Sequence, residues 1–296
     1  MFHVQKITSL DLPELAPYRT MRRPLEHERQ GIFVAEGEKV VRRLLESRFE
    51  VVSVLLPEKH LESFRPLLEA RPEKLTVHLA DKKLLESLIG FSMYQGQLAV
   101  GKIPPPASLD DILSKSPKPL LLVAVDALTS AENLGALVRN CVAFGVQALI
   151  VGETSSSPFL RRAVRNSMGT ILQLPVVELS RRGELREPQT SPEKSGRRGT
   201  PPSETLAQTL RDLRARGVRC LAAHPHTNKK CLSQADFSGD CCIVFGSEGE
   251  GISAPVLEAC DEAVAIPMPP TVDSLNVGAA AAVFLYEIAR QRGKMA

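Results

Sequence analysis

Three short segments after residue 130 of this 296-residue chain hold the residue types from which a reactive site could be built. The first, NLGALVRN, sets Asn133, Gly135, Arg139 and Asn140 in an otherwise apolar run of Leu134, Leu137, Val138, Val142 and Phe144. Asparagine is a good helix cap, so a helix is expected to begin near Asn133. A guanidinium inside an apolar helix needs a partner or a cleft. Taken alone, the pattern favours a surface arginine whose stem covers the apolar face. The second segment, FGSEGEGIS (245–253), follows an apolar run and brings Gly246, Gly249 and Gly251. Such a loop lets backbone approach a ligand closely. Its spacing is neither GxGxxG nor a P-loop, and Glu248 and Glu250 would repel a phosphate. A cofactor without phosphate suits it better. The third segment, IPMPPTVDSLNVGAAAAVFLYE (266–287), passes through a proline-rich loop to Ser274 and Asn276. There a helix opens whose small residues Ala279 to Ala282 let another backbone come close.

The elements that must position these residues follow from periodicity. Strands are expected at 31–34, 51–56, 75–79 and 97–101, alternating with helices at 36–48, 58–71 and 81–89. Val40, Val41, Leu44 and Leu45 mark the buried face of the first of these helices. This alternation predicts a small α/β domain over residues 1–105. The run KIPPPASLDD (102–111) holds three consecutive prolines and favours an extended spacer, so 106–118 is expected to be a linker. From 119 to 296 the alternation restarts. Strands are expected at 120–126, 148–152, 170–179, 218–224, 241–246 and 263–268. Helices are expected at 134–145, 158–168, 204–216, 254–260 and 276–291. Near-continuous apolar strands joined by helices predict a mostly parallel sheet covered on both faces. Residues 181–203 are rich in Pro, Gly, Ser and charge and read as a disordered insertion.

Composition narrows the function classes. No apolar run approaches the ~20 residues that span a bilayer. The start MFHVQKITSLDLPEL lacks a basic region followed by an apolar one, so no signal peptide is read. The six cysteines form no CxxC pair and no Cys/His metal spacing, so no metal is expected; reduced core thiols in a cytoplasmic protein are. Net charge is +3, and residues 181–203 with six Lys/Arg and three Glu carry all of it. That is not the charge of a tight, non-specific nucleic-acid coat, but it allows an enzyme that binds RNA by shape and releases it. Arg19, Arg22, Arg23 and Arg29 cluster in YRTMRRPLEHERQ. They read either as RNA-backbone contacts or as a solvated loop with Glu26 and Glu28 as neighbours.

In this order and at these separations, the three segments resemble the three motifs of the SpoU (TrmH-like) RNA methyltransferases of the SPOUT class, written NxGxxxRN, FGxExxG and IPMxxxxxSLNV. The resemblance covers about residues 120–292. More loosely, FVAEGEKVV (33–41) resembles the L30e-like substrate-binding domain attached to that family. The resemblance implies an α/β knot, with a mostly parallel sheet and a deep C-terminal trefoil, behind a smaller N-terminal α/β domain. It implies S-adenosyl-L-methionine as methyl donor, a ribose 2′-hydroxyl of rRNA or tRNA as acceptor, and a homodimer with the active site at its interface. Carried over by position, Gly246, Ile266, Met268 and Leu275 would line the donor pocket. Asn133, Arg139, Glu248, Ser274 and Asn276 would form the active site. Pro269–Pro270 stand where many relatives carry a glycine, and Gly278 where many carry Ser or Ala. Two other functions compete: an inactive RNA-binding module of the same fold, and a nucleotide-dependent oxidoreductase, which the missing GxGxxG disfavours.

Overall fold

In the computed structural model the described residues are 1–89, 96–179, 205–225 and 230–293. The expected insertion at 181–203 lies outside them. The chain starts with β1 (Phe2–Lys6), then the short helices α1 (Ala16–Arg19) and α2 (Pro24–Arg29). Next come β2 (Ile32–Glu36), α3 (Glu38–Glu46), β3 (Val51–Pro57), α4 (Leu61–Glu69), β4 (Leu75–Ala80), α5 (Lys82–Ile89) and β5 (Leu98–Lys102). After α6 (Leu109–Lys115) follow β6 (Leu121–Val125), α7 (Ala131–Ala143), β7 (Ala148–Val151), α8 (Arg161–Asn166) and β8 (Val176–Glu178). The chain ends through α9 (Leu206–Ala215), β9 (Arg219–Ala223), β10 (Cys241–Phe245), α10 (Ala254–Ala259), β11 (Glu262–Val264) and α11 (Val277–Gln291).

These elements group into two compact units. The first comprises Met1–Pro106, Ser130–Gly145 and Ser156–Pro175. Its five-stranded sheet has the order β1-β4-β3-β5-β2, with β1, β4 and β3 parallel and β5 antiparallel to both of its neighbours. Val40, Val41, Leu44 and Leu45 of α3 are all buried, on the face their spacing predicts. Beneath them Gly101 is a glycine of necessity, because a Cβ there would sit 2.6 Å from the Phe33 ring. That ring in turn packs edge-on against Phe49 and near Phe159. Burying one such phenyl group contributes about 1.5–3 kcal/mol.

The expected sequential split near 105 and the observed grouping differ, since α7 and α8 group with the first hundred residues. The cause is local. The buried carboxylate of Glu36, at the end of β2, takes ion pairs from both Arg161 and Arg165 of α8. A Cβ on Gly135 of α7 would lie 2.5 Å from the carbonyl oxygen of Ala163, so only glycine allows α7 and α8 this close. The expected strand at 170–179 is mostly a correction: Thr170–Gln173 is a 3₁₀ turn and only Val176–Glu178 pairs as a strand. Gly169 at φ 79° turns the chain before it, and Pro175, which has no N–H to donate, blocks an earlier start of the ladder.

The second unit comprises Ala107–Thr129, Val146–Ser155 and Val176–Ala296. The expected linker at 106–118 is therefore not simply extended, because it carries α6, whose first turn is capped by Ser108 Oγ accepting the Asp111 N–H at 3.3 Å. The sheet has six strands in the order β11-β9-β10-β6-β7-β8, every neighbouring pair parallel. Its central strands β6 and β10 are buried at every residue, which is why they read as unbroken apolar runs. Arg292 fixes the end of α11 by donating to the carbonyls of Pro119, Leu120 and Gly239. All six cysteines are free thiols. Burial pushes Cys241 up to about 11 and Cys260 up to about 12, so both stay protonated at neutral pH.

Candidate active site

The loops leaving the C-terminal ends of β9, β10 and β11 enclose a cavity of about 320 Å³. This is where an open parallel sheet puts its ligands. The loop after β10 forms one wall and is closed by its own backbone. Ser247 N–H donates to the Gly251 carbonyl at 3.0 Å, and Gly251 N–H returns a bond to the Ser247 carbonyl at 3.1 Å. Gly251 holds φ 73°, a left-handed conformation. Gly246 lies against that turn, where a Cβ would be 2.1 Å from the Gly251 carbonyl carbon. Its absent side chain thus serves the loop's own closure first and any ligand second. Asp126, buried just beyond β6, holds the far end of the loop, its Oδ2 accepting the Ser253 N–H at 2.8 Å. Neither the sequence segments nor their spacing singled out Asp126; only the fold reveals what it holds.

Opposite this wall runs the loop from β11 to α11. Ile266, Met268, Ser274 and Leu275 line the cavity from it, together with Asp273. Asn276 caps α11, its Oδ1 accepting from Gly278 N–H at 3.0 Å and Ala279 N–H at 3.4 Å. Cap and capped turn are the SLNVGA run itself, so Ser274 and Leu275 are held just ahead of a fixed helix start. Phe245 and Phe284 meet edge-on at 5.8 Å and supply apolar lining. Glu248, Glu250 and Asp273 add three carboxylates, and His224 from the loop after β9 completes the ring of polar groups.

Of the residues singled out in the sequence, Gly246, Glu248, Ile266, Met268, Ser274 and Leu275 therefore line one cavity, and Asn276 caps the helix at its edge. Asn133 and Arg139 belong to the other compact unit, on α7. There the expected cap is a correction: Ser130, not Asn133, opens α7, its Oγ accepting the Asn133 N–H at 3.3 Å. The apolar face of α7 is buried at Leu134, Gly135, Leu137, Val138 and Cys141, while Arg139 is exposed on its flank. The N-terminal arginines differ among themselves. Arg19 is bonded to the carbonyls of Leu10 and Leu12. Arg23 lies 3.7 Å from Glu26, and Arg22 and Arg29 are exposed. The stretch that carries these arginines is helical in part, with α1 and α2 each opening around a proline in its first turn.

A parallel α/β domain with a glycine-loop cleft at its strand ends defines a ligand-binding class; sequence comparison narrows it. The profile of the SpoU rRNA Methylase family matches residues 120–190 and 200–286. An uncharacterized tRNA/rRNA methyltransferase of Mycobacterium tuberculosis is 30% identical over 97% of this chain and 92% of its own length. The 23S rRNA (guanosine-2′-O-)-methyltransferase RlmB of Shewanella oneidensis is 30% identical over 80% of this chain and 88% of its own. The crystal structure of the SpoU methyltransferase AviRb from Streptomyces viridochromogenes in complex with AdoMet superposes with a TM-score of 0.73 at 25% identity, covering 94% of this chain and 99% of that one. The chain belongs to the SpoU rRNA methylase family. Its catalytic domain has the SPOUT methyltransferase fold that the motifs imply, and its methyl donor is S-adenosyl-L-methionine.

Proposed function

We propose that this enzyme transfers the methyl group of S-adenosyl-L-methionine to a ribose 2′-hydroxyl of structured ribosomal RNA in the cytoplasm. The carrying observation is that two separated loops, 246–252 and 266–275, converge on one cavity through their motif residues. The cavity fits the donor chemically. Exposed backbone of the glycine loop and the apolar Ile266, Leu275 and Phe284 suit an uncharged base, and the carboxylates suit a cationic sulfonium and ammonium. When bound there, the donor supplies an electrophilic methyl group whose departure leaves a neutral thioether, so no general acid is required. Glu248 and Ser274, held at the rim, orient the polar end of the donor and the incoming nucleotide. Asn276 fixes the loop that carries Ser274.

The remaining task is to hold the hydroxyl in line with the donor methyl and stabilise its oxygen as its proton passes to solvent water, and orientation alone supplies much of the rate. Arg139 takes that role together with Asn133. A guanidinium stays protonated, so it acts as an electrostatic stabiliser and phosphate clamp and not as the base. Residues 1–105 serve as the RNA-binding part, with Arg22, Arg23 and Arg29 as backbone contacts and Arg19 contributing mainly to local structure. The enzyme works as a homodimer. Val283 and Tyr286 of α11 are 40% and 48% exposed, an apolar strip suited to a second copy. Single-turnover transfer of labelled methyl to transcribed, unmodified 23S rRNA, followed by mapping of the modified ribose, tests the reading. Transfer to a base, or none with saturating donor and RNA, would reject it. A fully active monomer in sedimentation would reject the dimer alone.

A further inference from the structure

Helix α8 carries charge for which the donor cavity has no use. The segments 130–145 and 156–175 of the first unit hold four arginines, Arg139, Arg161, Arg162 and Arg165, against one acid, Glu132. Arg161 and Arg165 share the single carboxylate of Glu36, whose side chain is 8% exposed. One carboxylate neutralises one guanidinium. The nearly buried Arg161 claims it, and an uncompensated charge remains on Arg165, which is 54% exposed and 2.7 Å from Glu36 through Nη1. Arg162, 69% exposed, meets the exposed Glu132 at 3.1 Å. Such a solvent-exposed pair contributes little, so a phosphate can displace Glu132 at little cost.

Position adds to charge. Arg162 and Arg165 stand three residues apart on a helix and so neighbour each other on its surface. Gly135 faces α8 at contact distance from the Ala163 backbone. Arg139 follows Gly135 by four residues and lies one turn further along the same face of α7. Three exposed guanidiniums therefore border one helix–helix seam. Arginine's planar fork suits phosphate oxygens there, and several such contacts in a row suit a polyanion better than a small ligand.

We infer that α8 is an RNA-backbone rail: Arg162 and Arg165 bind phosphates of the strand whose ribose Arg139 attends, and Glu36 and Glu132 hold the guanidiniums ready before RNA arrives. The inference rests on the proposed RNA methylation. Filter binding of transcribed, unmodified 23S rRNA to the full chain across a salt series tests it. Replacing both Arg162 and Arg165 by alanine should weaken binding and lower the log–log salt slope by about 1.4–1.8, about 0.7–0.9 per lost phosphate contact. Lysine at both positions should restore most of that slope, whereas donor affinity should stay at the wild-type value throughout. Glu132→Gln, which removes the competing anion, should tighten RNA binding several-fold. Should the double variant unfold through loss of the Glu36 pair, Arg162→Ala alone should still cost one contact's worth of slope. A folded variant with wild-type slope overturns the rail, and so does weakened binding without a change of slope. Salt-dependent RNA binding through α8 by a wild-type chain that transfers no methyl group would sink the function and leave the rail standing.

Discussion

The donor cavity and the arginine-bearing surfaces are built on opposite principles. Around the cavity, it is backbone that is held in place: Gly246 yields its space to Gly251, the Asp126 carboxylate holds the Ser253 amide, and the Asn276 side chain caps α11. On α1, α2, α7 and α8, charged side chains stand on helices, and what each can do depends on which acceptor lies across from it. Arg19 is spent on carbonyls and Arg161 on a buried carboxylate, while Arg139 and Arg162 remain exposed. A backbone-built site tolerates almost no change of residue type. A side-chain-built surface tolerates many changes and loses function by degrees, except at the one guanidinium that meets the reacting oxygen.

That exception carries the largest expected effect. Arg139→Ala should lower single-turnover methyl transfer by about 10²–10³-fold or more, the range seen when one charge-stabilising donor is lost from an active site. S-adenosyl-L-methionine binding by calorimetry should be unaltered, because Arg139 serves the ribose. Arg139→Lys should recover only part of the rate, since an ammonium lacks the planar fork. A near-normal single-turnover rate in the alanine variant would reduce Arg139 to one more member of the RNA rail.

Next come the two neighbouring glycines, which set the backbone rule against itself. At Gly246 even a methyl group would meet backbone at 2.1 Å, whereas a Cβ on Gly249 meets nothing within 4 Å. Gly246→Ala should therefore weaken donor binding by an order of magnitude or more by breaking the loop. Gly249→Ala should keep both fold and loop. Equal donor affinities in the two variants would mean that the loop is not set by its own closure. Asp126→Ala should follow with a loss of about fivefold to a hundredfold, because the Ser253 amide is left without its acceptor. Asp126→Asn retains an acceptor oxygen and should lose much less.

The same contrast explains what could be read from the sequence. The parallel sheet was legible because β6 and β10 are unbroken apolar runs, and the cavity because backbone-built walls demand glycine, proline and a capping asparagine at fixed spacings. Asp126 was not legible: a lone aspartate after an apolar strand looks like any turn residue until the Ser253 amide arrives from 127 residues away. Nor was the grouping of α7 and α8 with the first hundred residues, which depends on one glycine against one carbonyl and on the Glu36 pairs. β1 is not legible in the sequence because its edge position leaves Phe2, Val4 and Gln5 alike only partly covered, with no fully buried residue to mark a core face. The 3₁₀ turn at 170–173 reads as strand in the sequence because Ile171, Leu172 and Leu174 are apolar enough for either, and only Gly169 and Pro175 decide between them.

The smallest expected effect separates the two units by their response to acid. In the first unit His78 of β4 is 1% exposed, and its Nδ1 has no hydrogen-bond partner among the described residues. Burial lowers its pKa, with Glu14 opposing weakly. His27 of α2 is lowered too, by burial first, while the Pro17 carbonyl and Glu26 pull the other way. Both are therefore neutral in the folded chain at a pH where the unfolded chain begins to protonate them. Stability from these sites is complete above the ordinary histidine value of about 6.5 and is lost as pH falls through the lower folded values. Each site can contribute up to about 1.4 kcal/mol per pH unit over that window. The urea midpoint should thus fall between about pH 7 and pH 5, and His78→Gln should flatten part of the fall. Amide exchange in β4, corrected for intrinsic rates, should lose protection over the same interval, while exchange in β6 and β10 of the second unit should hardly move. Uniform loss of protection in both sheets would show that acid acts on the whole chain through its carboxylates, and the buried imidazoles would have no special part in it.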